Sequence, residues 1–169
     1  MKIRKIAFDS VLAAMCTVLG FVSLNFGSMK LTLESLPVFV GALLFGGVDG
    51  ALIGTIGTFL YQMLSYGFTV TTVLWVIPYS LCGLLTGLYA KKKSFDLSIR
   101  QTVFICTAVN LLLTTLNTAV MYIDSIVFSY YSHAYIFGSL LVRYLVCIGK
   151  AVVFGFILPP LVKTLRRIP

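Results

Sequence analysis

The stretch that decides the fold is Tyr135–Val162, YIFGSLLVRYLVCIGKAVVFGFILPPLV, an apolar run that contains two cations, Arg143 and Lys150. The run is long enough to cross a bilayer as a tilted helix. The two cations are two helical turns apart, so their side chains lie on one face. A charge at membrane depth costs roughly 2.5–3.5 kcal/mol on insertion scales and usually faces a bundle interior or a wet cavity. The pair indicates a site for a polar, anionic ligand, unless the cations pair with Asp124 or backbone carbonyls and only orient helices.

The composition around that run is that of an integral membrane protein. Of the 169 residues, 59% are hydrophobic and 11% are charged, whereas a soluble domain carries about 25% charged residues. The formal charge of +8 comes mainly from basic clusters near the N-terminus, over residues 91–100 and near the C-terminus. Basic clusters at the ends of spans mark the cytoplasmic side. The charge therefore reports topology and not a nucleic-acid partner.

The sequence contains no recognisable catalytic or metal-binding set. Cys16, Cys82, Cys106 and Cys147 lie in apolar stretches without a CxxC pair, and His133 is the only histidine. A P-loop and a Ser/His/Asp set are also lacking. We therefore expect a protein that is not an enzyme and holds no metal or cofactor. As a carrier without a motor, it needs an ion gradient or a partner subunit.

Apolar stretches and polar breaks predict one integral membrane domain over residues 1–169, an all-α compact bundle of six transmembrane helices. The expected spans are residues 6–26, 35–46, 50–66, 72–90, 102–124 and 135–165. The glycine-rich stretch Gly46–Gly50 separates the second span from the third. At ~1.5 Å per residue, the second span covers about half a bilayer. The first run begins like a signal peptide but has no convincing cleavage site, so we expect it to be retained.

An even number of crossings fixes the expected topology. Both termini and the loop over residues 91–100 then fall on one side, so all three basic clusters share the cytoplasm. The sequence shows no internal repeat of the kind that builds inverted-repeat transporters. The alternating segments of a membrane β-barrel are also missing.

The fifth predicted span carries polar side chains at helical spacing. They are Thr107, Asn110, Thr114, Asn117, Met121 and Asp124. The amides of Asn110 and Asn117 donate and accept hydrogen bonds, and they need partners in hydrocarbon. One interpretation is hydrogen bonding between helices. Because the stripe is expected to face Arg143 and Lys150, the other interpretation is that it lines a cavity.

Aromatic side chains suggest a second wall. Trp75 and Tyr79 share one face of the fourth span, as an interfacial belt or as a stacking surface for a flat ring. Tyr122 and the aromatic residues within 128–135 fit a belt better.

Two predicted outer loops combine mobility with hydrogen-bonding groups. Gly27–Glu34 and Gly67–Thr72 contain glycine and threonine residues. They are either lids over an outward-facing pocket or plain connectors.

Small residues recur on the first span as Ser10-xxx-Ala14 and Ala13-xxx-Thr17. Such spacing lets another helix approach closely, either from within this chain or from a partner.

Two longer blocks resemble a known family. LESLPVFVGALLFG over residues 33–46, followed by GALIG over residues 50–54, resembles the vitamin-binding S components of energy-coupling factor (ECF) transporters. Size and span number agree, so the resemblance covers essentially the whole chain. YGFTVTT over residues 66–72, with Trp75, Pro78, Tyr79 and GLYAKK over residues 87–92, is most similar to the folate-specific members (FolT).

The resemblance implies a substrate-capture subunit in a bacterial plasma membrane. It would join one transmembrane coupling protein and two ATPases, and the family imports its vitamin by toppling in the membrane. An Ala-xxx-Ala motif on the first helix usually docks to the coupling protein. The nearest matches here are Ser10-xxx-Ala14 and Ala13-xxx-Thr17, which shifts the contact register. Many members have proline where this chain has Gly47.

Folate also fits the chemistry of the residues. Its flat pterin suits aromatic faces and asparagine amides, and its two tail carboxylates suit Arg143 or Lys150, with arginine favoured for bidentate geometry. The expected substrate-binding residues are Glu34, Phe68, Thr71, Thr72, Trp75, Tyr79, Asn110, Asn117, Arg143 and Lys150. The expected docking residues are Ser10, Ala13, Ala14 and Thr17.

Three alternatives stay open at this point. The chain is an S component for another vitamin, such as pantothenate or a queuosine precursor. It is a small ion-coupled transporter acting alone, although Asp49 and Asp124 lie near span ends and no acid is membrane-centred. It is an accessory membrane subunit without a ligand, which leaves the intramembrane cations unexplained.

Overall fold

The structure, a computed structural model, describes residues 2–26, 29–132, 136–138 and 140–167. Six helices carry the fold. They are α1 (Lys2–Phe21), α2 (Ser35–Phe45), α3 (Gly47–Tyr66), α4 (Thr72–Lys92), α5 (Ile99–Val127) and α6 (Leu140–Arg167). Two short strands, β1 (Ser23–Phe26) and β2 (Met29–Thr32), lie between α1 and α2. The helical fold class is thereby confirmed.

The first helix is shorter than predicted. It ends at Phe21, and the next residues form β1, which pairs antiparallel with β2 in a register that sets Ser23 opposite Thr32. Leucine and phenylalanine alternate with polar residues in β1, and this two-residue period suits a strand better than a helix. The prediction that the first span reaches Phe26 is therefore wrong. Residues 27 and 28 of the predicted Gly27–Glu34 loop lie outside the described residues.

The break between α2 and α3 is a single residue. Gly46 has a φ of +111°, a conformation that L side chains rarely adopt, and α3 begins directly at Gly47. The sequence predicted a wider turn over Gly46–Gly50. Because the change of direction needs only one glycine, α3 gains a full turn at its N-terminus. The short α2 is central, and Val38, Phe39 and Ala42 are fully buried.

Glycines hold α3 against α4. A Cβ atom on Gly83 would lie 2.1 Å from the backbone carbon of Gly50, and one on Gly87 would lie 2.2 Å from the backbone nitrogen of Gly47. A Cβ on Gly54 would lie 2.5 Å from the carbonyl oxygen of Tyr79. The two backbones are therefore in direct contact, the arrangement that small residues permit between membrane helices.

The last two helices are the longest. α5 begins with a capping box in which Ser98 and Gln101 each accept a hydrogen bond from the other's backbone N–H. The predicted sixth span starts at Tyr135, which lies outside the described residues, and α6 begins at Leu140. Near the end of α6, Arg166 donates to the carbonyl oxygens of Phe95 and Leu43 at 2.7 and 2.9 Å. The hydrogen bond to Leu43 connects α6 to the end of α2.

Among the described residues, three helices are long and apolar enough to cross a membrane: Thr72–Lys92, Ile99–Val127 and Leu140–Arg166. Large apolar side chains such as Phe104, Leu141 and Phe156 are exposed on these helices. Apolar surface of this extent is typical of contact with lipid. The chain is therefore a membrane protein, while the six crossings and the cytoplasmic termini stay predictions.

Candidate functional site

A cavity of about 670 Å³ lies inside the bundle. Its volume is within the ~300–1,000 Å³ typical of small-molecule sites. The lining comes from the end of the hairpin, from α3 to α6 and from the segments that flank α4 and α5. Because α3 and α4 are in backbone contact, the space opens on their other side, towards α5 and α6.

The floor of the cavity carries an acid and a base. Glu34, only 3% exposed, accepts a 2.9 Å hydrogen bond from the Thr58 hydroxyl and another from the Tyr79 hydroxyl. The Lys150 ammonium donates to the hydroxyl of Ser35 at 3.3 Å. Lys150 also lies close enough to the Glu34 carboxylate for the two charges to interact electrostatically.

The other end also carries an acid and a base. Asp124 accepts hydrogen bonds from the Thr71 hydroxyl at 2.5 Å, from Trp75 Nε1 at 3.4 Å and from the Tyr130 hydroxyl at 2.5 Å. These bonds join α4, α5 and the segment after α5. Arg143 lies across the cavity, with its Nη2 3.5 Å from the sulfur of Met121.

The cavity has a direction, from a mouth at Asp124 and Arg143 to the floor at Glu34 and Lys150. Tyr66, Phe128 and Tyr130 line the mouth and are exposed, whereas Glu34 and Thr58 at the floor are buried. Arg143 and Lys150 are two helical turns apart, roughly 10 Å along the α6 axis. A ligand therefore meets Arg143 first and Lys150 last.

The floor ends where α5 and α6 converge. A Cβ atom on Gly155 would lie 2.3 Å from Cγ2 of Val103, so the two helices leave no space below Lys150. Asn110 is buried outside the cavity lining, and its Nδ2 donates to the carbonyl oxygen of Cys106 at 2.8 Å. Thr107 bonds the Val103 carbonyl in the same way.

Seven of the ten predicted binding residues line the cavity: Glu34, Thr71, Trp75, Tyr79, Asn117, Arg143 and Lys150. Three do not. Phe68 is 70% exposed on the loop before α4. Thr72 is buried and bonds the backbone and hydroxyl of Thr69, and Asn110 is buried outside the lining. The polar stripe on α5 is continuous in sequence, but only its part from Thr114 to Asp124 reaches the cavity.

Several lining residues were not predicted. Thr58, Tyr61 and Gln62 form one face of α3, and their helical spacing in the sequence is a signal that could have identified them. Phe128 and Tyr130 were assigned to an interfacial belt, yet they line the mouth. Belt and cavity aromatics share composition, so only the packing distinguishes them.

Asn117 carries a buried acceptor. Within the described residues, its side-chain oxygen is buried and has no hydrogen-bond partner. A buried polar atom of this kind costs ~1–3 kcal/mol unless something bonds it. Because Asn117 lines the wall between mouth and floor, a bound ligand can supply that bond.

The expected docking residues divide between two faces of α1. Ala13 and Thr17 are buried, and the Thr17 hydroxyl donates to the carbonyl oxygen of Gly57 on α3 at 3.0 Å. Ser10 and Ala14 are exposed. The Ala13-xxx-Thr17 step therefore packs within this chain, and the Ser10-xxx-Ala14 step faces outward.

In the described ranges, no three His, Cys, Asp or Glu side chains come together as metal ligands. The cavity instead combines two carboxylates, two cations, aromatic faces and hydroxyl groups. Such a lining suits an organic ligand that has a flat ring, hydrogen-bonding edges and ionised groups.

Comparisons with known proteins agree with this fold. A family model described as the S component of an ECF-type riboflavin transporter matches residues 1–167. A solved structure of ThiT from Listeria monocytogenes has a TM-score of 0.70 with 18% identity, covering 96% of this chain and 95% of that chain. At that identity the likeness concerns the fold alone. No curated protein matches the sequence.

Proposed function

The chain belongs to the family of ECF-type riboflavin transporter S components, and on that premise we propose that it captures folate at the outer face of a bacterial plasma membrane. S components are substrate-binding subunits of transporters, so the protein is a membrane transport subunit and not an enzyme. Import of the captured vitamin is driven by partner subunits, a transmembrane coupling protein and two ATPases.

The charge of the cavity is the observation that supports folate as the ligand. Arg143 at the mouth and Lys150 at the floor are cations on one face of α6, and both line the cavity. Folate brings two carboxylates on its glutamate tail, and an arginine can bind one of them through two parallel hydrogen bonds. Partial burial strengthens this contact, because water screens it less than at an open surface.

The aromatic wall supports the flat part of the ligand. Trp75, Tyr79 and Tyr61 line the cavity between the two charged ends. Rings of this kind stack on a pterin and on the benzoyl group that follows it. Asn117 adds a side-chain amide along the opposite wall. The hydroxyl groups of Thr114 and Thr118 donate to carbonyl oxygens of α5, so they offer acceptors to a ligand.

Riboflavin is the second candidate, because the matching family model is described by that vitamin. Its ring would stack on the same aromatic wall. It carries no ionised group, however, so it would form no ionic contact with Arg143 or Lys150. A folate carboxylate can form a charge-assisted hydrogen bond with either cation, and this difference favours folate.

The partner proposal rests on the outward face of α1. Ser10 and Ala14 are exposed on one stripe of this helix, and small residues at this spacing allow close approach of another helix. We place the coupling protein on that stripe. The proposed topology keeps both termini and residues 91–100 in the cytoplasm.

A binding experiment separates the candidates. The chain has a single tryptophan, Trp75, which lines the cavity, so its fluorescence reports ligand entry. We expect saturable quenching by folate in purified protein, with riboflavin and pantothenate at least tenfold weaker. Saturation by riboflavin at lower concentration than folate would reassign the substrate. A Trp75→Phe variant, read by calorimetry, checks that the signal reports binding.

A further inference from the structure

A second concave surface, a groove of about 400 Å³, lies between α4 and α5. Of the described residues, none lines both this groove and the ligand cavity. Each helix contributes four residues at steps of three, one and three positions, which is one face of a helix. They are Leu85, Leu88, Tyr89 and Lys92 on α4, and Ile105, Ala108, Val109 and Leu112 on α5. The groove is therefore formed by two helices that are both long and apolar enough to cross a membrane.

The base of the groove is buried and its rim is exposed. Ile105 and Val109 belong to the hydrophobic core, whereas Leu88 and Leu112 are exposed. Ala108 is exposed as well, and its short side chain leaves space that a larger residue would fill. Large apolar side chains on the outside of a spanning helix are typical of contact with lipid. The groove therefore opens towards the bilayer and not into the bundle.

Positive charge lies at one end of the groove. Lys92, the last residue of α4, is the charged member of the lining. Residues 91–100 around it carry four basic side chains and one acidic side chain, Asp96. The four cations are exposed, and none of them forms an ion pair with another described residue. An apolar groove that ends at such a cluster suits a ligand with an apolar chain and an anionic head.

We propose that the groove binds one anionic phospholipid, with an acyl chain between α4 and α5 and the phosphate at Lys92. In the proposed topology, residues 91–100 are cytoplasmic, so the lipid belongs to the inner leaflet. The inference goes beyond vitamin capture. It concerns a different site, and it does not depend on which vitamin the ligand cavity binds.

The direction and length of the groove fit a phospholipid. From Lys92 to Leu85 the groove follows α4 for seven residues, roughly 10 Å along the axis. An acyl chain likewise begins at the headgroup and runs towards the middle of the bilayer. The methylene groups of a lysine can lie on apolar surface while the ammonium reaches the headgroup. Basic clusters at the cytoplasmic ends of spans attract anionic lipids.

A helix of a partner protein fits the groove less well. A helix is about 10–12 Å across with its side chains, and it needs small residues along the contact to come close. Among the lining residues, only Ala108 is small, and exposed leucines lie on both sides of the groove. The outward stripe of α1 differs, because it presents Ser10 and Ala14. A flexible acyl chain can occupy a narrow groove between leucines, and this favours lipid.

The test measures lipid retention by native mass spectrometry. Purified protein is equilibrated with equal amounts of phosphatidylglycerol and phosphatidylcholine that carry the same acyl chains. We expect the wild type to retain one phosphatidylglycerol in preference to phosphatidylcholine, by about fivefold or more for each basic group that contacts the phosphate. Lys92→Gln should lower retention of phosphatidylglycerol about fivefold and leave phosphatidylcholine unchanged. Ala108→Leu fills the groove, so it should lower retention of both lipids.

Two matched variants serve as controls. Lys163→Gln removes an exposed cation from α6, and Ala119→Leu enlarges an exposed alanine of α5 outside the groove. Both should retain lipid as the wild type does. If Lys92→Gln and Ala108→Leu also behave like these controls, the inference is overturned. If Ala108→Leu keeps its lipid but no longer assembles with the coupling protein, the groove holds a protein helix and the inference is likewise overturned.

A measurement on the unmodified protein avoids dependence on the folding of variants. Raising the salt of a wash from about 0.1 M to about 1 M shortens the Debye length from about 10 Å to about 3 Å. We expect this wash to release phosphatidylglycerol from the wild type and to leave retained phosphatidylcholine unchanged. Equal retention of the two lipids at low salt would overturn the inference. All of these measurements are made without vitamin, so their failure leaves the proposed function intact.

Discussion

The contact between α3 and α4, here called the seam, is packed backbone against backbone, whereas the wall formed by α5 and α6 borders a cavity. At the seam, Gly83 and Gly50 bring two backbones so close that an added Cβ would meet a carbonyl carbon at 2.1 Å. At the wall, long polar side chains such as Arg143 and Lys150 project into a cavity of about 670 Å³.

This difference indicates that the seam stabilises the fold and that the wall binds the ligand. Lipid offers little hydrophobic drive to bring helices together, so close backbone packing supplies the association of membrane helices. Once the seam fixes α3 and α4, the remaining helices can keep a cavity without loss of the fold. Substitutions at the seam should therefore reduce the amount of folded protein, and substitutions at the wall should reduce affinity.

The largest expected effect is at the seam. Gly83→Val puts a branched side chain against the backbone of Gly50, where neither helix can retreat. Overpacking usually costs ~1–3 kcal/mol, and backbone contact should raise the cost above that range. We expect a large loss of monodisperse protein on purification. Gly149→Ala is the control, since nothing lies within 4 Å of a Cβ there. Equal loss of monodisperse protein from both variants would contradict the stabilising role of the contact between α3 and α4.

The next effect concerns the outward face of α1. Ala14→Leu should block complex formation with the coupling protein and abolish uptake, while folate binding by the isolated subunit stays within twofold. Ala14 is exposed, so the larger side chain disturbs a partner and not the core. Ala119→Leu, at an exposed alanine on α5, is the matched control. Loss of folate binding together with uptake would indicate packing within the chain instead.

At the wall, Arg143→Ala should weaken folate binding by about 2–5 kcal/mol, the range for losing one partner of a buried charge pair. Arg143→Lys keeps the charge without the planar fork, so its affinity should fall between the other two. Calorimetric titration measures the ordering. Arg100→Ala removes an exposed arginine outside the cavity and should change nothing. Unchanged affinity in a well-folded Arg143→Ala protein would make Arg143 structural.

The smallest effect separates two asparagines of α5. Asn117→Ala should weaken binding by about 0.5–1.5 kcal/mol, the contribution of a neutral hydrogen bond. Asn110→Ala should leave affinity unchanged and lower the melting temperature, because Asn110 is buried outside the cavity lining and bonds the Cys106 carbonyl. The reverse assignment of the two effects would mean that the cavity extends further down α5.

The sequence predicted more of the site than of the local fold. Arg143, Lys150, Glu34 and Asn117 all line the cavity as expected, because ionised and amide groups in apolar helices have few other places to lie. The hairpin was missed, since a four-residue strand has too short a pattern to outweigh the helix before it. The turn at Gly46 was predicted too wide, because a glycine cluster does not show which glycine adopts a positive φ.

By itself, the sequence determined the class of the protein and predicted a polar, ionised ligand. Hydropathy and helical spacing depend on neighbouring residues only, so they fix apolar helices and put Arg143 and Lys150 on one face. Only the tertiary structure decided that Asn117 lines the cavity and Asn110 does not, and that Ala13 faces α3 while Ala14 faces outward. The physical reason is the distance between helices. That distance is set where Gly83 meets Gly50 and Gly155 meets Val103, residues far apart in the chain.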